Sequence, residues 1–235
     1  MEPSASWEAK GDTVRSARLL ALTALTIPLL LMGSPAQAAY PKVLDHMGSA
    51  THVAIVTTSS WHSTRGGMTL WQKYGSSWRS VRNGIPVWVG RNGFQYASRR
   101  HEGDGTTPAG KFPMRFAFGA RANPGAQLSW TSLHSDSCWS GERKDYNTYV
   151  RRTCTSRDEN LWAARAIAYR YAAVVGFNDT PAVWGRGSGI FLHETLNQPT
   201  TGCVSMSETN LLWMLRWMPR GAWVVMGPQA YVNSL

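Results

Sequence analysis

The sequence predicts a mainly β fold, a barrel or sandwich of short strands with one or two short helices. Two observations carry that prediction. Between residues 52 and 118, short apolar or alternating runs follow one another, each bounded by Gly, Asn, Ser or Pro, the residues that supply turns. Helix signals occur at only two places, a capping-box pattern beginning at Ser156 and an apolar run after Ser207. Many strands with few helices must bury their apolar faces against one another, which is what a barrel or sandwich achieves.

The elements follow in order. Residues 52–58 (HVAIVTT) form an apolar strand run. Residues 68–73 and 77–82 flank Tyr74-Gly75-Ser76 and read as a hairpin. Residues 85–89 (IPVWV) read as another strand, ended by Gly90 and Asn92-Gly93, and residues 94–99 as a further one. Residues 101–110 (HEGDGTTPAG) are rich in turn formers and read as a loop, before a strand at 112–118 (FPMRFAF). Residues 119–155 are irregular and polar. Ser156-Arg157-Asp158-Glu159 has the S-x-x-E form and predicts a short helix over 158–166. Period-two alternation of Tyr169, Tyr171, Ala173, Val175 and Phe177 predicts a strand, and 187–193 (GSGIFLH) another. Residues 194–201 form a short polar loop. Ser207 is a candidate N-cap, with Glu208 in the first turn of a helix over 211–218; Gly221 ends it and 222–226 (AWVVM) is the last strand.

Residues 1–38 read as a secretory signal. Arg15 and Arg18 give a positive start, residues 19–32 (LLALTALTIPLLLM) an apolar stretch, and Ala36-Gln37-Ala38 a cleavage site. The apolar stretch falls short of the roughly 20 residues that a membrane span needs, and no cysteine follows it to carry a lipid. The expected mature chain, residues 39–235, suits one domain with a sizeable core. The whole sequence carries 24 Lys+Arg against 14 Asp+Glu, a formal charge of +10. The expected signal holds equal numbers of each sign, so the remainder keeps that charge. Outside a cell such a surface meets anionic wall polymers and lipid headgroups. The basic residues are scattered, with no stripe attached to a nucleic-acid motif, so no nucleic-acid partner is expected.

Export implies an oxidising compartment. Cys138 and Cys154, in one polar stretch, are expected to form a disulfide. Cys203 is then left over, and a leftover cysteine is an intermolecular partner, a reactive thiol or a buried inert one. Its neighbours favour the reactive thiol. In the segment 187–206 (GSGIFLHETLNQPTTGCVSM) a histidine ends an apolar strand, and Thr-Thr-Gly-Cys follows a short loop later. Little of a free thiol is ionised at neutral pH, whereas a neighbouring imidazole can take its proton and hold an ion pair with the sulfur. Gly202 lets the backbone turn tightly before the sulfur, and the N–H groups of Gly202 and Cys203 are candidate donors to an oxyanion. The expectation is Cys203 as nucleophile and His193 as its base.

This segment resembles the signature of the L,D-transpeptidase catalytic domain, the YkuD-like family: a histidine, a variable loop, then Ser/Thr-x-Gly-Cys. His193 matches the family's base, Thr200 the Ser/Thr, Gly202 the glycine and Cys203 the nucleophile. Residues 102–112 (EGDGTTPAGKF) are similar to the family's G-x-x-x-T-P-x-G-x-F block, and Asp145-Tyr146-Asn147, Gly176-Phe177-Asn178 and 187–193 are similar to blocks of an exported subgroup. The resemblance spans roughly residues 50–226. Thr201 stands where the family often has a second histidine, and Ser205 where it often has Arg or Asn. Thr200, Thr201, Ser205 and Arg186 are therefore the candidate substrate contacts.

The resemblance implies an L,D-transpeptidase-like β-barrel or sandwich acting on peptidoglycan stem peptides. Cys203 would attack the carbonyl of the third stem residue, release terminal D-alanine and leave a thioester. A neighbouring stem's amine would resolve it into a 3→3 cross-link. The backbone carbonyl of Glu194, or its carboxylate, would orient His193. The resemblance further implies acylation by carbapenem-type β-lactams. The remaining expectations are a monomer outside the cytoplasm, associated with the cell wall, with no cofactor and no metal. The alternatives are an L,D-carboxypeptidase with the same site and an inactive wall-binding protein. Of the other tempting residues, His46, His52, His62, His101 and His134 have no partner at metal spacing. Trp213 and Trp217, four apart on the apolar helix, read as core, and Glu102 and Asp104 read as turn stabilisers.

Overall fold

The computed structural model describes residues 39–235, and the expected secretory signal lies outside the described residues. After a 3-10 turn at Lys42–His46 the chain runs β1 (His52–Thr58), β2 (Arg65–Tyr74), β3 (Ser77–Trp88) and β4 (Phe94–Tyr96), then a second 3-10 turn at Ala97–Arg99. Next come β5 (Thr107–Gly119), β6 (Trp130–Ser132), β7 (Ser137–Trp139), β8 (Tyr149–Arg151), β9 (Glu159–Asn160) and β10 (Ala172–Val175). The last elements are β11 (Phe191–Glu194), β12 (Val204–Met206), α1 (Glu208–Trp217), β13 (Trp223–Pro228) and α2 (Gln229–Val232).

The mainly β expectation holds, as a barrel. Strands pair in the order β10-β11-β12-β3-β2-β1-β13-β5, and β5 pairs back onto β10, closing the ring. Closure leaves no free edge along these strands. β4 and β6 add to β5 outside the ring. Side-chain alternation then sorts each strand between two surroundings. Ala54 and Val56 of β1, Ala173 and Val175 of β10, Leu192 of β11 and Val204 and Met206 of β12 fill the barrel with Met68, Leu70, Ile85 and Val224. Alternate residues face outward and are also covered. Val53, Ile55 and Val225 pack under Val43, Leu44, Trp71 and Trp78, whereas Ala172, Val174 and Phe191 pack with Phe118, Trp139, Leu161 and Tyr169. Runs such as HVAIVTT and AWVVM are apolar without alternation because both their faces are buried. α1 adds Leu211, Met214 and Leu215 to the barrel core, each side chain worth about 1.5–3 kcal/mol on burial.

Several elements differ from expectation. The two strands expected at 77–82 and 85–89 are one strand, β3, whose register against β2 shifts between Met68 and Leu70. The strand expected over 94–99 stops at Tyr96, and β5 starts at Thr107, inside the expected loop. β11 begins only at Phe191, because Gly187 and Gly189 have φ of 96° and 61°. Ser207 precedes α1 without capping it through its hydroxyl, and Glu208 reaches Arg170 at 3.0 Å.

The helix expected over 158–166 does not form. The Asp158 carboxylate is taken by Arg152 and by the N–H groups of Gly141 and Thr155, and Glu159 accepts a hydrogen bond from the Tyr169 hydroxyl. The capping-box side chains are thus committed to tertiary partners. The chain folds instead as successive turns, with the N–H groups of Ile167, Ala168 and Tyr169 all donating to the Ala164 carbonyl. This region hangs on a small sheet, β8-β7-β9, built outside the barrel. The Cys138–Cys154 disulfide staples it across 16 residues, and Arg152 bridges Asp145 and Asp158 at 2.7 and 2.8 Å.

Candidate active site

β11 and β12 are parallel neighbours, and their register places His193 beside Ser205. Side chains paired in this way project to one face, and residues two apart along a strand share it. Phe191, His193, Cys203 and Ser205 therefore all leave the outer side of the barrel wall, toward the small sheet. Cys203 is free and only 6% exposed. Its sulfur accepts from the Phe191 N–H at 3.4 Å, and its S–H donates to the Gly189 carbonyl at 3.3 Å.

The turn before Cys203 is built by Thr200. Its hydroxyl donates to the Cys203 carbonyl at 2.6 Å and accepts the Gly202 N–H at 3.1 Å. The backbone of Thr200 is tied to the end of β3, donating to the Val89 carbonyl at 2.9 Å and accepting from Arg91 at 2.7 Å. Gly202 sits at φ 151°, and a Cβ there would lie 3.0 Å from the Thr106 carbonyl oxygen and 3.2 Å from Ile190. Glycine is required by both conformation and space. Of the two amides expected to face an oxyanion, that of Gly202 is thus committed to the turn.

His193 is oriented by backbone. Its Nδ1 lies 2.7 Å from the Glu194 carbonyl oxygen, which can only accept, so the neutral ring carries its proton on Nδ1 and keeps Nε2 as the basic atom. The Glu194 carboxylate points elsewhere, to Arg170 at 2.6 Å. Tyr169 stands edge-on to the imidazole, with ring centroids 5.7 Å apart.

The electrostatics differ from the expected ion pair. Burial lowers the His193 pKa to about 4. Burial, with the Glu159 carboxylate adding to it, raises the Cys203 thiol to about 12 against the opposing pull of the Phe191 N–H and Arg100. No hydrogen bond joins the ring to the sulfur among the described residues. Thiol and imidazole are both neutral at pH 7. Moving the proton between them is therefore uphill until the charges formed attract one another or meet a ligand.

The other expected contacts separate. Thr201 is exposed and lines a cavity of about 150 Å³ beside the turn that precedes Cys203. Ser205 is 1% exposed, and its hydroxyl has no hydrogen-bond partner among the described residues. Arg186 donates to the backbone carbonyl of Ser98 at 2.8 Å and so secures a loop.

Sequence reasoning assigned no role in the site to four residues found near it, of which Arg100 and Glu159 line this cavity. Arg100 is 5% exposed and holds Asp104 at 2.7 Å; Asp104 also accepts from the N–H groups of His101 and Thr106, which makes it the turn stabiliser expected of it. Glu159 and Tyr169 meet beside Cys203. Asn147, at φ 61°, accepts from the Trp139 indole and the Gly189 N–H at 2.8 and 2.9 Å, and donates to the carbonyls of Phe177 and Asn178. The blocks 145–147, 176–178 and 187–193 thus meet at one side chain. The signal for Asn147 was present in the sequence as a block without an assigned role.

A cavity of about 620 Å³ lies over β1 and β2 among Tyr40, Ile55, Thr57 and Trp71; it has no cysteine or histidine in its wall. Among the described residues no group of three or more His, Cys, Asp and Glu is arranged to hold a metal ion.

Comparison with known proteins matches residues 61–226 to the YkuD family, the L,D-transpeptidase catalytic domain. No curated protein matches the chain. Among solved structures, L,D-transpeptidase 1 of Mycobacterium tuberculosis is similar at 14% identity and TM-score 0.36, over 75% of this chain and 61% of that one. The helical cell shape determining protein Pgp2 of Campylobacter jejuni is similar at 14% identity and TM-score 0.38, over 79% of this chain and 54% of that one. An L,D-transpeptidase from Mycobacterium smegmatis is similar at 12% identity and TM-score 0.33, over 76% of this chain and 59% of that one. The matched part of each is about six-tenths of its length or less. The family match covers most of the sequence, from the turn before β2 to the last barrel strand, and on that ground the chain belongs to the YkuD family of L,D-transpeptidase catalytic domains.

Proposed function

We propose that this protein is a cysteine-dependent L,D-transpeptidase of peptidoglycan stem peptides, with Cys203 as nucleophile and His193 as base. The observation that carries the reading is the pairing of β11 with β12. It sets a free thiol and an imidazole on one face of the sheet, with the imidazole's Nδ1 already bonded to the Glu194 carbonyl. His193 Nε2 accepts the thiol proton as the sulfur attacks the carbonyl of the third stem residue. It returns a proton to the amine of D-alanine as that bond breaks. The Cys203 N–H is the donor to the oxyanion, and the Thr200 hydrogen bonds hold its position.

The remaining parts of the reading follow from the same assignment. Residues 1–38 are a cleaved secretory signal, and residues 39–235 are a single catalytic domain working outside the cytoplasm at the cell wall. The domain acts as a monomer, its basic surface favours anionic wall polymers, and carbapenem-type β-lactams acylate Cys203. Intact-mass measurement after carbapenem treatment should show a stable adduct on the wild type and none on Cys203→Ala. Mass spectrometry of digested wall should show 3→3 dimers after exposure to the active protein. An unreacted free thiol on a folded wild-type protein would overturn the assignment.

A further inference from the structure

Two polar atoms around the cavity of about 150 Å³ beside Cys203 are left over once the hydrogen bonds there are assigned. The first is Nη1 of Arg100. The Arg100 side chain is 3% exposed and held on every other side. Its Nε donates to the Thr106 hydroxyl at 3.1 Å, its Nη2 donates to Asp104 at 2.7 Å, and its Cζ lies 5.3 Å over the Phe177 ring. Nη1 is buried and has no partner among the described residues. An unmet charged donor is costly to bury, so its retention points to an acceptor that arrives with a ligand. The second atom is Oε2 of Glu159. β9 pairs antiparallel with β7 and sets Glu159 opposite Trp139 in the cavity wall. Oε1 accepts from the Tyr169 hydroxyl, and Oε2 has no hydrogen-bond partner among the described residues. A glycine stands at each atom. A Cβ on Gly187 would lie 3.1 Å from Nη1, and a Cβ on Gly189 would lie 3.2 Å from Oε2. No side chain at either position covers them.

Net charge does not choose the ligand. The wall holds Arg100 and Arg157 together with Glu102 and Glu159, two of each sign. Arg157 is largely exposed and lies 3.8 Å from Glu142. Glu102 accepts from the hydroxyls of Tyr146 and Ser188. What remains is one donor, Arg100 Nη1, and one acceptor, Glu159 Oε2. A carboxylate entering the cavity would satisfy the donor but face the acceptor with like charge. An ammonium would do the reverse. A primary carboxamide satisfies both, because its oxygen accepts and its nitrogen donates. It also brings no charge toward a thiol whose ionisation Glu159 already opposes.

We infer that this cavity is a carboxamide subsite, with Arg100 Nη1 donating to the amide oxygen and Glu159 Oε2 accepting from the amide nitrogen, and that it selects stem peptides in which one carboxyl group is amidated. This rests on the transpeptidase reading and narrows its substrate class. Thr201 and Gly202 belong to the same wall, so the bound amide sits beside the turn that carries Cys203. Recognition is by complementarity of donor and acceptor, and it works against the free acid as well as for the amide. The carboxylate form leaves Glu159 Oε2 facing a second negative oxygen. Glu159 is thereby given a use that its effect on the thiol does not supply.

The test uses the whole protein, wild type and Glu159→Gln, with thermal unfolding as a check on folding. The probes are tetrapeptides of one sequence with carboxyl groups at the second residue, at the side chain of the third and at the terminal D-alanine. One peptide has all three free, and three others are each amidated at a single position. Release of the terminal residue gives kcat/KM, and intact mass reports the acyl-enzyme on Cys203. One amidated peptide should exceed the free acid by about 10- to 100-fold, the range expected where a buried charged group would otherwise lose its partner. The position of its amide identifies the carboxyl that enters the cavity. Glu159→Gln should bring that ratio to roughly one, because a glutamine amide can turn to donate to a carboxylate. A ratio cancels any common change in thiol reactivity, and the wild-type comparison does not depend on the variant folding. A wild type that uses all four peptides equally or prefers the free acid overturns the inference and leaves the transpeptidase reading standing. So does a preference that survives Glu159→Gln in folded protein. A wild type that forms no acyl-enzyme with any of the four sinks both.

Discussion

The resting state of Cys203 yields the most discriminating prediction. In the closed site the thiol pKa is raised from 9.0 to about 12 and the imidazole is lowered to about 4, so neither carries charge near neutrality. Below pH 9 a threefold-decade rise in pKa cuts the thiolate fraction about a thousandfold relative to an unperturbed cysteine. Alkylation of the folded protein by iodoacetamide, read as mass gain on Cys203, should be slower than that of a model thiol by about that factor. Burial of the sulfur also hinders the reagent, so the rate alone does not decide the matter. The shape of the pH profile does. A neutral resting thiol gives a rate that climbs tenfold per pH unit through pH 9 with no plateau. A thiolate held by His193 gives a plateau that starts below pH 7 and collapses in His193→Gln. Observation of that plateau would refute the neutral pair, and with it the view that substrate must supply what activates the thiol.

The same burial makes His193 a source of acid sensitivity. Its folded pKa is depressed below the unfolded value of 6.5, so the stability it contributes is complete above pH 6.5 and is lost as pH falls toward 4, by about 3 kcal/mol. Urea unfolding of wild type and His193→Gln between pH 7 and pH 4 should show that loss shrinking in the variant, and parallel curves would count against it. Replacing Cys138 and Cys154 together by serine should lower stability by about 3 kcal/mol in the chain-entropy view of a loop of this length, measured by thermal unfolding under oxidising conditions. Asn147→Ala removes hydrogen bonds to Trp139, Phe177, Asn178 and Gly189 and leaves buried groups unsatisfied. It should cost at least about 3 kcal/mol and slow acylation of Cys203, whereas unchanged acylation would separate the small sheet from the site.

Much of the barrel was legible because its strands are bounded by turn chemistry that acts locally. Gly75, at φ 60°, closes the hairpin of β2 and β3, and the apolar run of β1 has no other economical reading. Errors arose where local signals compete with distant partners. Ser156-Arg157-Asp158-Glu159 carries a sound helix-start pattern, yet Arg152 and Tyr169 claim its acids, and neither contact is visible from spacing. The site divides in the same way. Thr200, Gly202, Cys203 and His193 stand out because a turn and a strand end set their geometry within a short stretch. Arg100 and Glu159 reach the cavity, and Tyr169 the neighbourhood of Cys203, from three separate segments, and each looks ordinary in its own. Arg186 shows the converse error, since an arginine next to a motif turned out to hold the carbonyls of a neighbouring loop.

The inserted small sheet joins these threads. The barrel alone presents Cys203 and His193 on an outer wall, where an attacking sulfur would stand open to water. Trp139 packs edge-on to Phe191 at 4.9 Å, and Leu161, Phe118 and Tyr169 complete a dry cover over that wall. Dryness raises the thiol pKa and lowers that of the imidazole, so the cover that would protect a thioester in the proposed reaction also holds the thiol neutral. Both effects come from one structural cause. A substrate that enters the cavity and places its carbonyl beside the sulfur supplies the compensating electrostatics, because negative charge can then move from sulfur to an oxyanion held by the Cys203 amide. Loosening the cover should therefore shift two quantities in opposite directions. The double serine variant of Cys138 and Cys154, if it stays folded, should alkylate faster at pH 7.5 than wild type and retain its acyl-enzyme for less time, both read by intact mass on one sample. Faster alkylation with an equally long-lived ester would show that the cover sets the thiol's pKa without excluding water, and the two effects would then need separate causes.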